Sequence, residues 1–151
     1  MRLDYIKASP AGVKAFGGVY GYVMQSGLEE VLVELVYLRV SQINGCVYCL
    51  DKHTRDLLQK GVTPVKLALV QAWHEAGAFF SEREKAALAW AESVTRVADT
   101  HVPDEDFQLA AAAFSEKELA DLTMAISLMN AYNRLAISFR RPPDSALVAV
   151  R

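Results

Sequence analysis

The 151-residue sequence predicts an all-α fold, a single-domain bundle of about six to seven helices. Three observations carry this. No stretch alternates apolar and polar residues over the length of a strand. The 5 prolines and 8 glycines fall largely between segments of helical apolar period. Two capping boxes, Ser81-Glu82-Arg83-Glu84 and Ser115-Glu116-Lys117-Glu118, mark helix starts at which Ser and Glu side chains accept from each other's backbone N–H.

The elements follow in order. Ser9-Pro10 is an N-cap and first-turn pair, opening a helix to about Gln25. Gly12, Gly17, Gly18 and Gly21 weaken its propensity. A strongly apolar second helix runs from Leu28 to about Asn44, and Asn44-Gly45 breaks it. Cys46 to Lys60 forms a third, with Gly61 in the C′ role. Thr63-Pro64 opens a fourth, to about Ala76. The first capping box opens a fifth, to about Asp99, and Pro103 a short sixth. The second box opens a long last helix to about Arg140. Pro142-Pro143 stops it, and the tail to Arg151 carries no helical signal. A faint internal echo sets Glu34 against Glu118, and Cys46 and Cys49 against Asn130 and Asn133. The matches are too few to establish a duplication.

A chain of this length buries roughly two thirds of its unfolded surface, enough for a core. At 52% hydrophobic and 23% charged it reads as globular, with some apolar excess available to a subunit interface. A net charge of −2 argues against a nucleic-acid partner, which needs a basic stripe. The longest apolar run, Val31 to Val40, is interrupted by Glu34 and Arg39 and is too short to span a membrane. Met1 to Pro10 has no signal-peptide core. These features predict a cytoplasmic protein with no membrane partner, in a compartment that keeps structural thiols reduced. A bridge between Cys46 and Cys49 would also staple almost no chain. The pair therefore reads as redox or metal chemistry.

Cys46 and Cys49 stand at i, i+3 on one helix face, with Cβ atoms roughly 5–6 Å apart, and His53 follows Cys49 by four residues. The helix start favours an anion, and Cys-X-X-Cys spacing or a neighbouring histidine lowers a thiol's pKa. If the second and third helices fold back about Asn44-Gly45, a rise of about 1.5 Å per residue sets Glu34 nearly level with His53. A carboxylate among Val33, Leu35 and Val36 needs such a partner. Glu34, His53 and Cys49 then form a nucleophile–base–orienter chain. A zinc site from Cys46, Cys49, His53 and Glu34 is the competing reading. It has four ligands but no second Cys/His pair to support it.

This segment resembles the AhpD-like alkyl hydroperoxidases of the carboxymuconolactone decarboxylase-like superfamily. Their pattern is Glu, eleven residues, Cys-X-X-Cys, three residues and His, matched here by Glu34, Cys46, Cys49 and His53. The stretches Ser81 to Glu92 and Asn130 to Arg134 also look like the family's later helices, so the likeness covers nearly the whole chain as one domain, 1–151. The resemblance implies an all-helical fold assembled as trimers or hexamers, and reduction of organic hydroperoxides. It implies Cys49 as peroxidatic thiol, Cys46 as resolving thiol, His53 as proton relay and Glu34 as the base behind it. It implies a dithiol or lipoyl-protein reductant, with no metal or organic cofactor. In one departure, Tyr48 stands where the best-studied members carry a second His. A phenol with pKa near 10 cannot serve as base at neutral pH, but it can donate a hydrogen bond in the pocket. The decarboxylase branch lacks the cysteine pair, so decarboxylation is not expected. A disulfide-exchange or redox-sensing protein would use the same pair.

The remaining candidates read as structural. Trp73, Trp90 and Phe114 fall at core spacing. His74 reads as a surface residue and His101 as a loop residue. Asp51 reads as a partner for the helix turn, Lys52 or Arg55, and Arg83 to Lys85 as a solvated face. Tyr37, Asn130 and Asn133 are secondary candidates for the pocket wall.

Overall fold

The computed structural model describes residues 1–149, with side chains to residue 146. The fold is all-α. In chain order the helices are α1 (Tyr5–Ala8), α2 (Pro10–Met24), α3 (Glu30–Asn44), α4 (Val47–Gln59) and α5 (Pro64–Leu69). They continue as α6 (Glu82–Thr95), α7 (Val97–Thr100), α8 (Asp104–Ala113), α9 (Glu116–Ser138) and α10 (Asp144–Ala149). None among the described residues is long and apolar enough to cross a membrane.

Everything is built around α3. Every residue from Leu32 to Ser41 is buried, as expected of a helix apolar on all sides. It packs on α4, α6 and α9. Val33, Val36 and Val40 join Leu122, Ile126 and Met129 of α9 in the larger cluster. Leu35 and Leu38 join Leu57, Phe80 and Leu88 in the smaller. Such a helix can carry a charge only with a partner inside the protein. Arg39 donates to Glu92 at 2.7 Å, and Glu92 also accepts from Trp73 Nε1 at 2.8 Å. Burial works against the Glu92 carboxylate, but the Trp73 and Arg39 donors outweigh it and hold its pKa below the ordinary value.

Several sequence expectations are corrected. The fourth helix is α only to Leu69. A 3-10 turn at Val70–Glu75 follows, with Ala72 at φ −124°, and it brings Trp73 to Glu92. The fifth helix ends at Thr95, and Arg96 interrupts it before α7. The tail was expected to carry no helix, yet α10 forms. Asp51 of α4 accepts from the Ser145 N–H at 3.2 Å and from its hydroxyl, a cap from outside the helix that no local pattern reveals. Arg83 is not on a solvated face. It donates to Glu29 at 2.8 Å, Glu118 at 2.6 Å and the Ala113 carbonyl at 2.6 Å, and lies over the Phe114 ring. Trp90 and Phe114 are buried, and His74 is exposed on Trp73. His101 adopts a left-handed turn conformation, φ 55°.

Both capping boxes form. The Ser115 N–H, then the Arg83 guanidinium, hold the Glu118 carboxyl at about 2, well below its ordinary value. A depressed carboxylate stabilises above its unfolded pKa and loses that contribution as pH falls through the folded one. Glu118→Gln should therefore unfold at lower urea at pH 7. The gap to wild type should stay constant down to about pH 5 and close towards pH 2. Urea midpoints across that range check it. A gap independent of pH would assign the loss to packing instead.

Candidate functional site

The turn between α3 and α4 sets the site. Gly45 takes φ 71°, the left-handed conformation that ends α3. Asn44 donates its side-chain amide to Asn130 Oδ1 at 3.0 Å and Asn133 Oδ1 at 2.9 Å. Asn133 in turn donates to Ser41 Oγ at 3.1 Å. Asn130 and Asn133 are therefore not in the cavity wall, as spacing alone had suggested. They clamp the turn to α9.

Cys46 is the N-cap of α4, not its first helical residue. Its sulfur accepts from the Cys49 N–H at 3.4 Å, so the first turn offers a donor to whatever charge that sulfur carries. The two cysteines are joined as a disulfide, with Cα atoms 5.3 Å apart. One turn on, His53 Nδ1 lies 2.7 Å from Glu34 Oε2, with both side chains almost wholly buried. A carboxylate there accepts from Nδ1 and turns Nε2 away from Glu34 as the second ring nitrogen. The Tyr37 ring packs 5.2 Å from the imidazole, centroid to centroid.

Cys49 and His53 open on a cavity of about 210 Å³. Tyr5, Tyr20, Tyr48 and Tyr132 supply phenols to its wall, Val13 and Met129 apolar surface, and Lys52 and Arg141 positive charge. Burial raises the pKa of Tyr20, Tyr48 and Tyr132, so they stay protonated as donors. Cys46 lies outside this cavity and borders a separate cleft of about 60 Å³ beside Gly45 and Arg140. A wider apolar depression of about 980 Å³ lies beside Trp90, Phe107 and Met124, with no cysteine or histidine in its lining. The paired cysteines border the cavity of about 210 Å³ and the cleft of about 60 Å³, not this depression.

For a metal, Glu34, His53 and Asp56 bring three ligand atoms within 4.8 Å of one another. This set differs from the one weighed from the sequence, because the sulfurs are bonded to each other and Asp56 enters instead. Its donors are already engaged, Glu34 by His53 and Asp56 by the Lys52 ammonium. That pattern suits proton handling.

The model of the carboxymuconolactone decarboxylase family matches residues 10–93. This chain belongs to that family, in its AhpD-like group. An uncharacterised Bacillus subtilis protein, YdfG, is 35% identical over 137 residues, 91% of this chain and 92% of its own. A crystal structure of an Agrobacterium tumefaciens protein of unknown function, provisionally assigned as the antioxidant defence protein AhpD, is 38% identical. It superposes with a TM-score of 0.90, covering 94% of this chain and 97% of its own. The debrominase Bmp8, in complex with 2,3,4-tribromopyrrole, shares the fold at a TM-score of 0.80 and 20% identity, over 95% of this chain and 76% of its own.

The family match spans Glu34, Cys46, Tyr48, Cys49 and His53, but only part of the cavity wall. Tyr5, Met129, Tyr132 and Arg141 come from outside it, and sequence reasoning assigned them no role. No motif marks them, since they meet the cysteines only when α1 and the end of α9 close over α4.

Tyr37 was a candidate for the wall but lies behind it, fully buried, and its hydroxyl has no partner among the described residues. Removing an unpaired buried hydroxyl relieves its desolvation cost, about 1–3 kcal/mol at most. Tyr37→Phe should therefore leave the thermal midpoint unchanged or raise it. A clear drop would reveal a bound water as the missing partner.

Proposed function

We propose that this protein is a thiol peroxidase that reduces organic hydroperoxides through a Cys46/Cys49 disulfide cycle. The supporting observation is that Cys49, bonded to Cys46, shares a cavity with His53, whose Nδ1 is held by the buried Glu34 at 2.7 Å. In the reduced enzyme His53, backed by Glu34, takes the Cys49 proton. The thiolate attacks one oxygen of the peroxide, the O–O bond breaks, and His53 returns a proton to the departing alkoxide as alcohol. Cys49 is left as a sulfenic acid. Cys46 then attacks that sulfur, forming the disulfide and releasing water. Two electrons from an external dithiol, of which a lipoyl-bearing protein is the family's example, reset the pair. Tyr48 donates to the bound peroxide. The scheme uses no metal or organic cofactor. It suits the reducing cytoplasm and a homo-oligomer such as a trimer or hexamer.

The test counts free thiols in reduced protein before and after one equivalent of cumene hydroperoxide. Loss of both thiols, restored by dihydrolipoamide, is the expected result. Cys49→Ser should abolish it, while Cys46→Ser should stop at a sulfenic acid trapped by dimedone. Glu34→Gln should slow the step by up to about 10²–10⁴, the range of general-base catalysis, because His53 then lacks the carboxylate that holds its Nδ1. Thiols that survive peroxide but exchange with an external disulfide would replace this reading with a disulfide-exchange protein.

A further inference from the structure

The thiol cycle uses Cys49, Cys46, His53 and Glu34, and gives no task to the two cations of the cavity wall. Lys52 is already matched. Burial works against its ammonium, but Asp56 outweighs this and raises its pKa. Arg141 is different. Its guanidinium carbon lies over the Tyr48 ring, 3.7 Å from the centroid, and the group donates to the Tyr5 hydroxyl at 3.1 Å. Among the described residues no carboxylate stands within ion-pair distance of it, and Asp144, the acid nearest in sequence, pairs with Arg55. No Asp or Glu lines the cavity; Glu34 sits behind His53 and Asp56 beside Lys52. An arginine held over a ring, with one N–H used, keeps several donors in a fork that fits a carboxylate.

The backbone delivers this side chain by an unusual route. Arg140 takes φ 54°, the left-handed conformation generally left to glycine. The Arg140 N–H then reaches the Ile137 carbonyl at 3.2 Å and the Arg141 N–H the Ala136 carbonyl at 2.9 Å. That turn closes α9 and places Arg141 in the cavity wall. Apart from Lys52, Cys49 and His53, the rest of the wall is phenol rings and apolar side chains. At about 210 Å³ the space lies below the ~300–1,000 Å³ of drug-sized sites, which limits the ligand to about one ring.

Resting on the peroxidase reading, we propose that Arg141 anchors a carboxylate of the substrate. The preferred hydroperoxide is then a small apolar or aromatic one with an anionic end, held with its O–O bond at Cys49. The carboxylate takes no part in the electron transfer.

Two measurements test this. The first needs no turnover: 4-isopropylbenzoate and its neutral amide are titrated into the disulfide form by calorimetry. Wild type should bind the carboxylate about tenfold or more tightly than the amide. Arg141→Gln should erase that preference, and Arg141→Lys should keep part of it. The second compares kcat/KM for cumene hydroperoxide and its para-carboxylate. Arg141→Gln should lower the anionic substrate about tenfold through KM and leave the neutral one within about threefold. Equal binding of carboxylate and amide by wild type overturns the proposal, whether or not the variants fold. So does a preference that survives in folded Arg141→Gln. Carboxylate binding without turnover of either peroxide would keep the anion site and sink the peroxidase reading.

Discussion

The buried pair of Glu34 and His53 is the constraint on which the site depends. It crosses from α3, buried from Leu32 to Ser41, to the helix that carries the cysteines, and each side chain is the reason the other tolerates burial. Breaking such a pair leaves an uncompensated charge or imidazole inside, a loss of about 3–5 kcal/mol. The pair therefore locks α4 against α3 in one register. The same register presents His53 to the cavity that Cys49 enters. One hydrogen bond thus fixes both the packing of the two helices and the placement of the imidazole.

The turn before Cys46 carries the second constraint. Gly45 ends α3 in the left-handed conformation, and Asn44 is held by two asparagines of α9. With the turn fixed from outside, Cys46 falls at the N-cap, where its sulfur meets a first-turn N–H. The two sulfurs then border different spaces. Cys49 opens to the larger cavity, Cys46 to the narrow cleft beside Arg140. One side is shaped for a small molecule, and the cleft offers a separate approach to the other sulfur.

The remaining walls come from the chain ends. The Arg2 N–H donates to the Phe139 carbonyl at 2.8 Å, so α1 is tied to the end of α9. Asp51 and Arg55 tie α10 to α4. Both ends close over one cavity, and each supplies part of its lining, Tyr5 from the first and Arg141 from the second.

The all-α class, the two capping boxes, the Asn44-Gly45 break and the meeting of Glu34 with His53 were legible in the sequence. Each follows from a short-range rule: helical period, a four-residue cap, a left-handed glycine, or two helices folding back about one turn. Tertiary structure alone decided that Asn130 and Asn133 hold a turn, that Arg83 is a hub of ion pairs, and that the tail forms α10. It alone placed Arg141 in the cavity. Those outcomes rest on partners 30 to 136 residues away in the chain, and no local pattern of residues encodes a contact at that distance. Sequence determined which reactive side chains stand close together along α3 and α4, because residue type and near spacing are local properties. Only packing decided what surrounds them.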